Sequence, residues 1–466
     1  MCANSVESES GQAWMAYELQ GVSLGDKRLD WRMIDTATKL AERPQGSINQ
    51  ASEDWADTKA AYRLFDNPKT TAAKVFQPHQ ARTAERAAGH ERVLAIQDTM
   101  YVDYSQHPQK EGMGPIGTTQ QAKLRGLVMH SVLVTTTAGT PLGIASQQIW
   151  ARAEVAKEMT REAQRQIPIA EKESHKWIVG LNETVACLPA GTTVITVGDS
   201  EADIFELFHH AIHQLQTDLL VRAGQERIVL EPEVGRIHAV LGRQPLAGHL
   251  KVQVPQREQH PERQAIVSVR FSPVVLRAPK HLRTQLSHLP IYAVWVTEEN
   301  PPAEVEALSW LLLTTVPVHS FADAVERVQW YRHRWKIEVF HKILKSGCQV
   351  EKSQLASAAR LLPLLAVYSI IAWRLLWMTS LSRNEPDAPC TTFLTEAEWR
   401  SLYAFMHKRN PTPAQVPSVK DALLSIARLG GFLARRSDGH PGVTVIWRGW
   451  QRLSDISATW LIFAPT

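Results

Sequence analysis

Residues 321–345 read FADAVERVQWYRHRWKIEVFHKILK, a run without Pro or Gly whose spacing predicts one long helix. At about 100° per residue, Tyr331, Arg334, Glu338 and Lys345 fall within a stripe roughly 60° wide, while Ile337, Phe340 and Leu344 take the opposite side. One face suits a core and the other sets a carboxylate among two cations and a phenol. Trp335 lies within about 40° of Tyr331 on the same wheel, where its indole can press on a base or sugar or simply pack between helices. A charged stripe opposite an apolar one is ordinarily a solvated surface, so the helix needs company before it means chemistry.

That company lies upstream. Strand-like runs at residues 93–96, 127–134 and 194–197, with a helical stretch at 154–166, give an α/β layout. Two of these runs lead into an aspartate, Ile96-Gln97-Asp98 and Val197-Gly198-Asp199. Strand ends in α/β sheets are where sites are built, because the sheet fixes the origin of otherwise variable loops. Asp after a strand also starts turns and caps helices, and both readings stand at this point. Two such aspartates beside Glu338 would supply the all-oxygen donor set that Mg²⁺ or Mn²⁺ prefers. Three carboxylates can hold two ions, and two ions clamp the attacking and leaving oxygens of an in-line phosphoryl displacement. Arg334 and Lys345 would then grip phosphates, one by a fork and one as a point charge, and Tyr331 would donate its hydroxyl.

The flanks divide by composition. Residues 21–67 read as a small basic helical module, with Leu29, Met33, Ile34, Ala37 and Leu40 on helix spacing, a stop near Pro44, and a second helix ending at Asn67-Pro68. An Ala-, Lys- and Thr-rich stretch after it looks like a linker. Residues 226–304 are β-rich, with strands expected at 250–254, 265–271 and 291–297. Between Val221 and Pro290 there are eleven Lys or Arg and five Glu, so this stretch alone exceeds the net charge of +4 carried by the whole 466-residue chain. A basic sheet suits a nucleic-acid backbone, and it equally suits a solvated face. The apolar run at 360–374 is interrupted by Pro363, falls short of a membrane span, and reads as a buried helix.

Cys2, Cys187, Cys348 and Cys390 have no C-x-x-C spacing, which speaks against a zinc site or a disulfide framework and for a reducing cytoplasm. The acidic, polar start MCANSVESES reads as no export signal. No G-x-x-x-x-G-K run supports a nucleotide-binding metabolic enzyme.

The order Tyr331, two residues, Arg334, three residues, Glu338, six residues, Lys345, set in YRHRWKIEVFHKILKSG, resembles the signature of the DDE cut-and-paste transposases of the insertion-sequence-four type. AIQDT around Asp98, GDSEADI around Asp199, LSWLLLTTVPV around Trp310 and IARLGGFLARRSDGHPGVTVIWRGWQRL near the C-terminus extend the resemblance over nearly the whole chain. It implies an α/β RNase H-like catalytic core at 85–225 and 305–378, a β-rich insertion at 226–304, and helical N- and C-terminal domains at 1–70 and 385–466, the last a candidate for dimerisation. Asp98, Asp199 and Glu338 would be the catalytic, metal-binding triad for two Mg²⁺ ions, with Mn²⁺ as substitute. Tyr331, Arg334 and Lys345 would hold terminal phosphates, Trp310 would receive a base turned out of the duplex, and Arg222 in LLVRAG resembles an arginine near the cleaved end. LGDKRLDWRMIDTATKLAERP and KAAYRLFDNP resemble the family's domain for terminal inverted repeats, with Arg28, Arg32, Lys59 and Arg63 as candidate DNA contacts.

The implied activity is excision of an element through hairpin intermediates and its joining to target DNA, by a homodimer on double-stranded DNA and without a membrane. An inactive transposase-derived repressor and a general two-metal nuclease are the rival readings. Two departures stand out: Ser200 follows the second aspartate where the best-known relative carries arginine, and Met100 stands where it carries threonine. The chain also runs only sixteen residues beyond Trp450, which leaves the geometry of the dimer open.

Overall fold

The computed structural model describes residues 14–117, 124–154, 166–254, 263–303, 305–412, 415–435 and 438–463. Among these residues the strands are β1 (Arg92–Asp103), β2 (Gly114–Pro115), β3 (Arg125–Thr136), β4 (Pro141–Trp150), β5 (Thr193–Gly198), β6 (Asp218–Arg222), β7 (Ile228–Val229), β8 (Gly235–Arg236), β9 (Gly248–Val254), β10 (Arg263–Leu276), β11 (Leu289–Glu298) and β12 (Ser309–Thr314). β1, β3 and β4 make an antiparallel meander, and β5 and β6 add in parallel to the other side of β1. β12 pairs antiparallel with β6, and β11, β10 and β9 follow in turn, so the β-rich segment expected at 226–304 extends the core sheet and does not form one of its own. The expected helix at 154–166 falls mostly on residues 155–165, outside the described set.

β1 is longer than its apolar run suggested, and Asp98 lies in its interior opposite Ser131, where a strand end was expected. The sequence Gln97-Asp98-Thr99 looks like a strand terminus because it is polar. Here His130 on β3 gives two of those side chains a partner: Gln97 Oε1 lies 3.0 Å from its Nε2 and Thr99 Oγ1 lies 2.9 Å from its Nδ1.

Helices cover the sheet. The stretch expected to be a linker after Asn67 is a helix, Ala72–Ala87, capped by Thr71 and carrying Pro78 within it. It docks on β4, where Gln80 Nε2 donates to Ala145 O at 2.7 Å. The apolar run is part of a helix at Ala358–Asn384, buried all round. That helix is long and apolar enough to cross a membrane, against the expectation from residues 360–374, yet 94% of its most apolar window is buried in the fold, as in a core helix. Glu396–His407, Val419–Leu429 and Val443–Phe463 form the C-terminal helices. The last two cross at paired glycines: a Cβ on Gly430 would meet Val445 O at 1.9 Å, and one on Gly449 would meet Ile426 O at 1.7 Å. This close approach explains Gly in LGGF and RGW.

Candidate active site

The expected single helix at 321–345 is three pieces. Ser320 and Asp323 form a capping box for the first, Phe321–Arg332. The chain then tightens, with His333 N donating to Trp330 O at 3.0 Å and Arg334 N to Tyr331 O at 2.9 Å, before the helix Trp335–Lys342. Neither Pro nor Gly marks this break. His333 is packed there against the β3–β4 turn at Gly139, whose added Cβ would lie 2.6 Å from the imidazole, and burial pushes that imidazole down to about 4. A wide π turn, Ile343–Gly347, ends the segment.

The break leaves the central contacts of the stripe in place. Arg334 Nη2 donates to Glu338 Oε1 at 2.5 Å, and Nη1 lies 3.8 Å from Asp98 Oδ2. Asp98 Oδ1 accepts from Thr99 N at 2.7 Å. Burial first, then the charges of Asp199 and Glu338, push the Asp98 carboxyl up to about 7, against the opposing pull of the Thr99 N–H and Arg334. The three carboxylates therefore share one electrostatic field, with a single guanidinium between two of them.

Asp199 follows β5 directly and caps the short turn Ser200–Ala202 by accepting from Glu201 N at 2.9 Å. Its turn is tied to the one after β6. Asp203 accepts from Gly224 N at 2.9 Å and from Arg227 Nη2 at 2.6 Å, with the carboxylate almost wholly buried. Arg222 ends β6 just before that turn and is exposed. Tyr331 is buried, its hydroxyl pushed up by burial and pulled down by Arg334 and Arg222. Its ring meets Trp310 edge to face with centroids 5.6 Å apart, so β12 and the helix share one aromatic contact.

Other expected residues lie elsewhere. Lys345 falls in the π turn, 3.5 Å from Glu351 Oε1, and Glu351 in turn accepts from Asp103 N at 2.9 Å. Trp335 is exposed. Arg28, Lys59 and Arg63 are exposed and Arg32 half-buried in the N-terminal helices Lys27–Glu42 and Trp55–Asp66. Asp203, Glu351 and His130 went unnoticed in the sequence. Only Asp203 had a signal, as a second carboxylate inside GDSEADI.

Carboxylates alone, one of them driven toward protonation by burial and then by the charges of the others, are by donor type a set that suits a hard divalent cation. Among the described residues no three His, Cys, Asp or Glu side chains are gathered closely enough to hold one ion. Arg334 takes the place between Asp98 and Glu338.

Two regions of the chain match family models. Residues 11–70 match the model described as Transposase DNA-binding, and residues 370–459 match the Transposase Tn5 dimerisation domain. Together the two matches support a Tn5-like transposase. The first match spans the helices that carry Arg28, Arg32, Lys59 and Arg63. The second begins within the core helix Ala358–Asn384 and takes in the glycine crossing. The matches support DNA binding by the first region and homodimer formation through the second, and Asp98, Asp199 and Glu338 fall between the two in sequence.

Proposed function

We propose that this transposase binds the terminal inverted repeats of its element, cleaves the ends through hairpin intermediates and joins them to target DNA. The observation that carries this reading is that Arg334 bridges Asp98 and Glu338 while the charge of Asp199 acts on Asp98, with Tyr331 against Trp310 and within the field of Arg222. Three antiparallel strands followed by two parallel ones, with the first carboxylate on the strand between the two sets, support an RNase H-like core.

In this mechanism Asp98, Asp199 and Glu338 would hold Mg²⁺ or Mn²⁺, two ions per site, which when bound supply charge neutralisation at the phosphate and an activated oxygen nucleophile. Arg334 turns its fork from Glu338 to a DNA phosphate, a stronger bidentate partner. Arg222 holds a neighbouring phosphate, and the Tyr331 hydroxyl donates to the strand end. Trp310 offers its indole to a base turned out of the stack, which offsets part of the unstacking cost. Lys345 acts as a point charge at the margin once DNA draws it from Glu351. Free Cys187, Cys348 and Cys390 suit work in a reducing cytoplasm.

The test is Glu338→Gln. The variant should bind end DNA as the parent does while cleavage drops to background; loss of binding in proportion to cleavage would contradict the assignment.

A further inference from the structure

The family match makes residues 11–70 a DNA-binding domain, yet its charge is wrong for simple attraction to phosphates. The segment, expected above to be a basic module, has eight Lys or Arg against nine Asp or Glu and is not basic. Several of its cations are also engaged. Lys39 Nζ is held by Asp57 at 3.0 Å and by Asp35 and Glu53, each at 3.2 Å. The Arg43 guanidinium donates to Gln50 O at 2.6 Å. A domain without surplus charge gains little from counterion release, so its grip on DNA has to come from local contacts.

Such contacts are on the surface. Trp31 is 62% exposed and Trp55 67%, the two most exposed tryptophans among the described residues. Indoles are large apolar groups that a folded domain ordinarily buries, and two left open within one small domain call for a partner. Each also carries a cation. The Arg32 guanidinium lies 5.6 Å from the Trp31 ring centroid, and Lys59 Nζ lies 5.1 Å from that of Trp55, one helical turn along. Trp31 lines a cleft of about 270 Å³ between the two helices, and Asp54 and Ala56, on either side of Trp55, line it opposite. Asp35, Glu53, Asp54 and Asp57 outnumber Arg32 and Lys39 in its lining, so the cleft itself does not favour phosphate, and Trp31 forms part of its wall.

We infer that Trp31 and Trp55 are the contacts by which this domain holds duplex DNA, each laying its indole on a sugar or base edge while Arg32 and Lys59 take the adjoining phosphates. This assignment rests on the reading of the protein as an end-binding transposase. The acidic residues beside the pair oppose the approach of phosphates there, so binding depends on the aromatic contact being made.

The experiment is end binding by the full-length protein, read by fluorescence anisotropy across a salt series. The probes are a duplex carrying the inverted repeat that flanks its gene and a scrambled duplex of equal length. Trp31→Ala and Trp55→Ala are each expected to weaken end binding about 10-fold, as loss of one stacking contact does, with the salt slope unchanged. Lys59→Ala is expected to lower that slope by about one. Trp31→Phe and Trp55→Phe should retain most of the affinity, which separates a lost contact from a misfolded domain. Alanine variants that bind like the parent, or Phe variants as weak as Ala ones, overturn the assignment while the end-binding function stands. A parent protein that does not prefer its own repeat overturns both.

Discussion

Arg334 Nη2 donates to Glu338 Oε1 at 2.5 Å although Arg334 lies just before the helix, Trp335–Lys342, that carries Glu338. The contact spans a tightened turn, so the guanidinium reaches both the helix and the middle of β1, where Asp98 lies 3.8 Å from its other nitrogen. In the DNA-free protein Arg334 is thus the counter-charge of the carboxylate cluster.

Removing that counter-charge should cost stability wherever the carboxylates are ionised. Arg334→Ala is expected to lower stability by about 1–3 kcal/mol at pH 8, the range for a lost charge-assisted hydrogen bond, and by less at pH 5.5. Arg334→Lys should restore charge without the fork and recover only part of the loss. Thermal melts at the two pH values check this.

Asp98 gives the opposite sign. Its folded carboxyl titrates at about 7 and its ordinary value is 3.8, so between these values the folded chain keeps a proton that the unfolded chain has released. The stability contribution of this group is therefore fullest below the ordinary value and is lost as pH rises through about 7. Asp98→Asn should raise the melting temperature at pH 8, by roughly 1 °C for each kcal/mol relieved in a chain of this length, with a smaller gain at pH 5.5. Calorimetry with EDTA present measures it, and equal shifts at both values would contradict the repulsion.

How far these features could be read beforehand follows from where their causes lie. Glu338, Arg334 and Tyr331 were legible because local spacing places them on one face, and the contacts survive the break. The break itself was not, because it coincides with packing of His333 on the distant Gly139 turn. Asp98 was singled out by type but placed at a strand end, since its polar neighbours Gln97 and Thr99 find a partner only in His130 on β3. Pro78 hid the helix Ala72–Ala87. Lys345 shared the stripe by angle, but the π turn that carries it and the Glu351 carboxylate beside it appear only in the fold.

Asp203 binds the turn of Asp199 to the turn after Arg222, through a pair in which Asp203 is 1% and Arg227 10% exposed. Asp203→Ala strands a buried guanidinium and should destabilise by about 3–5 kcal/mol. The milder Asp203→Asn should speed amide exchange at residues 199–204 and 223–227 and slow cleavage while end affinity holds. Unchanged exchange there would show that the pair does not fix these turns.

In the C-terminal domain, Gly449→Ala would push a methyl group into Ile426 O, which a Cβ meets at 1.7 Å. The two helices must then part, at a cost of about 1–3 kcal/mol or more. Sedimentation should show weaker self-association together with a lower melting temperature. A variant that melts and associates like the parent would mean the crossing is not this tight.

The central claim is that Asp98, Asp199 and Glu338 together cut the ends of an element. The most direct measurement is a denaturing gel of the purified protein on duplex DNA carrying the inverted repeats that flank its gene, with Mg²⁺, with EDTA, and with Asp98→Ala in place of the parent. Nicks and hairpins at the repeat ends that require Mg²⁺ and vanish in the variant are the predicted result. Specific binding with no cleavage, or cleavage that persists in Asp98→Ala, would contradict it.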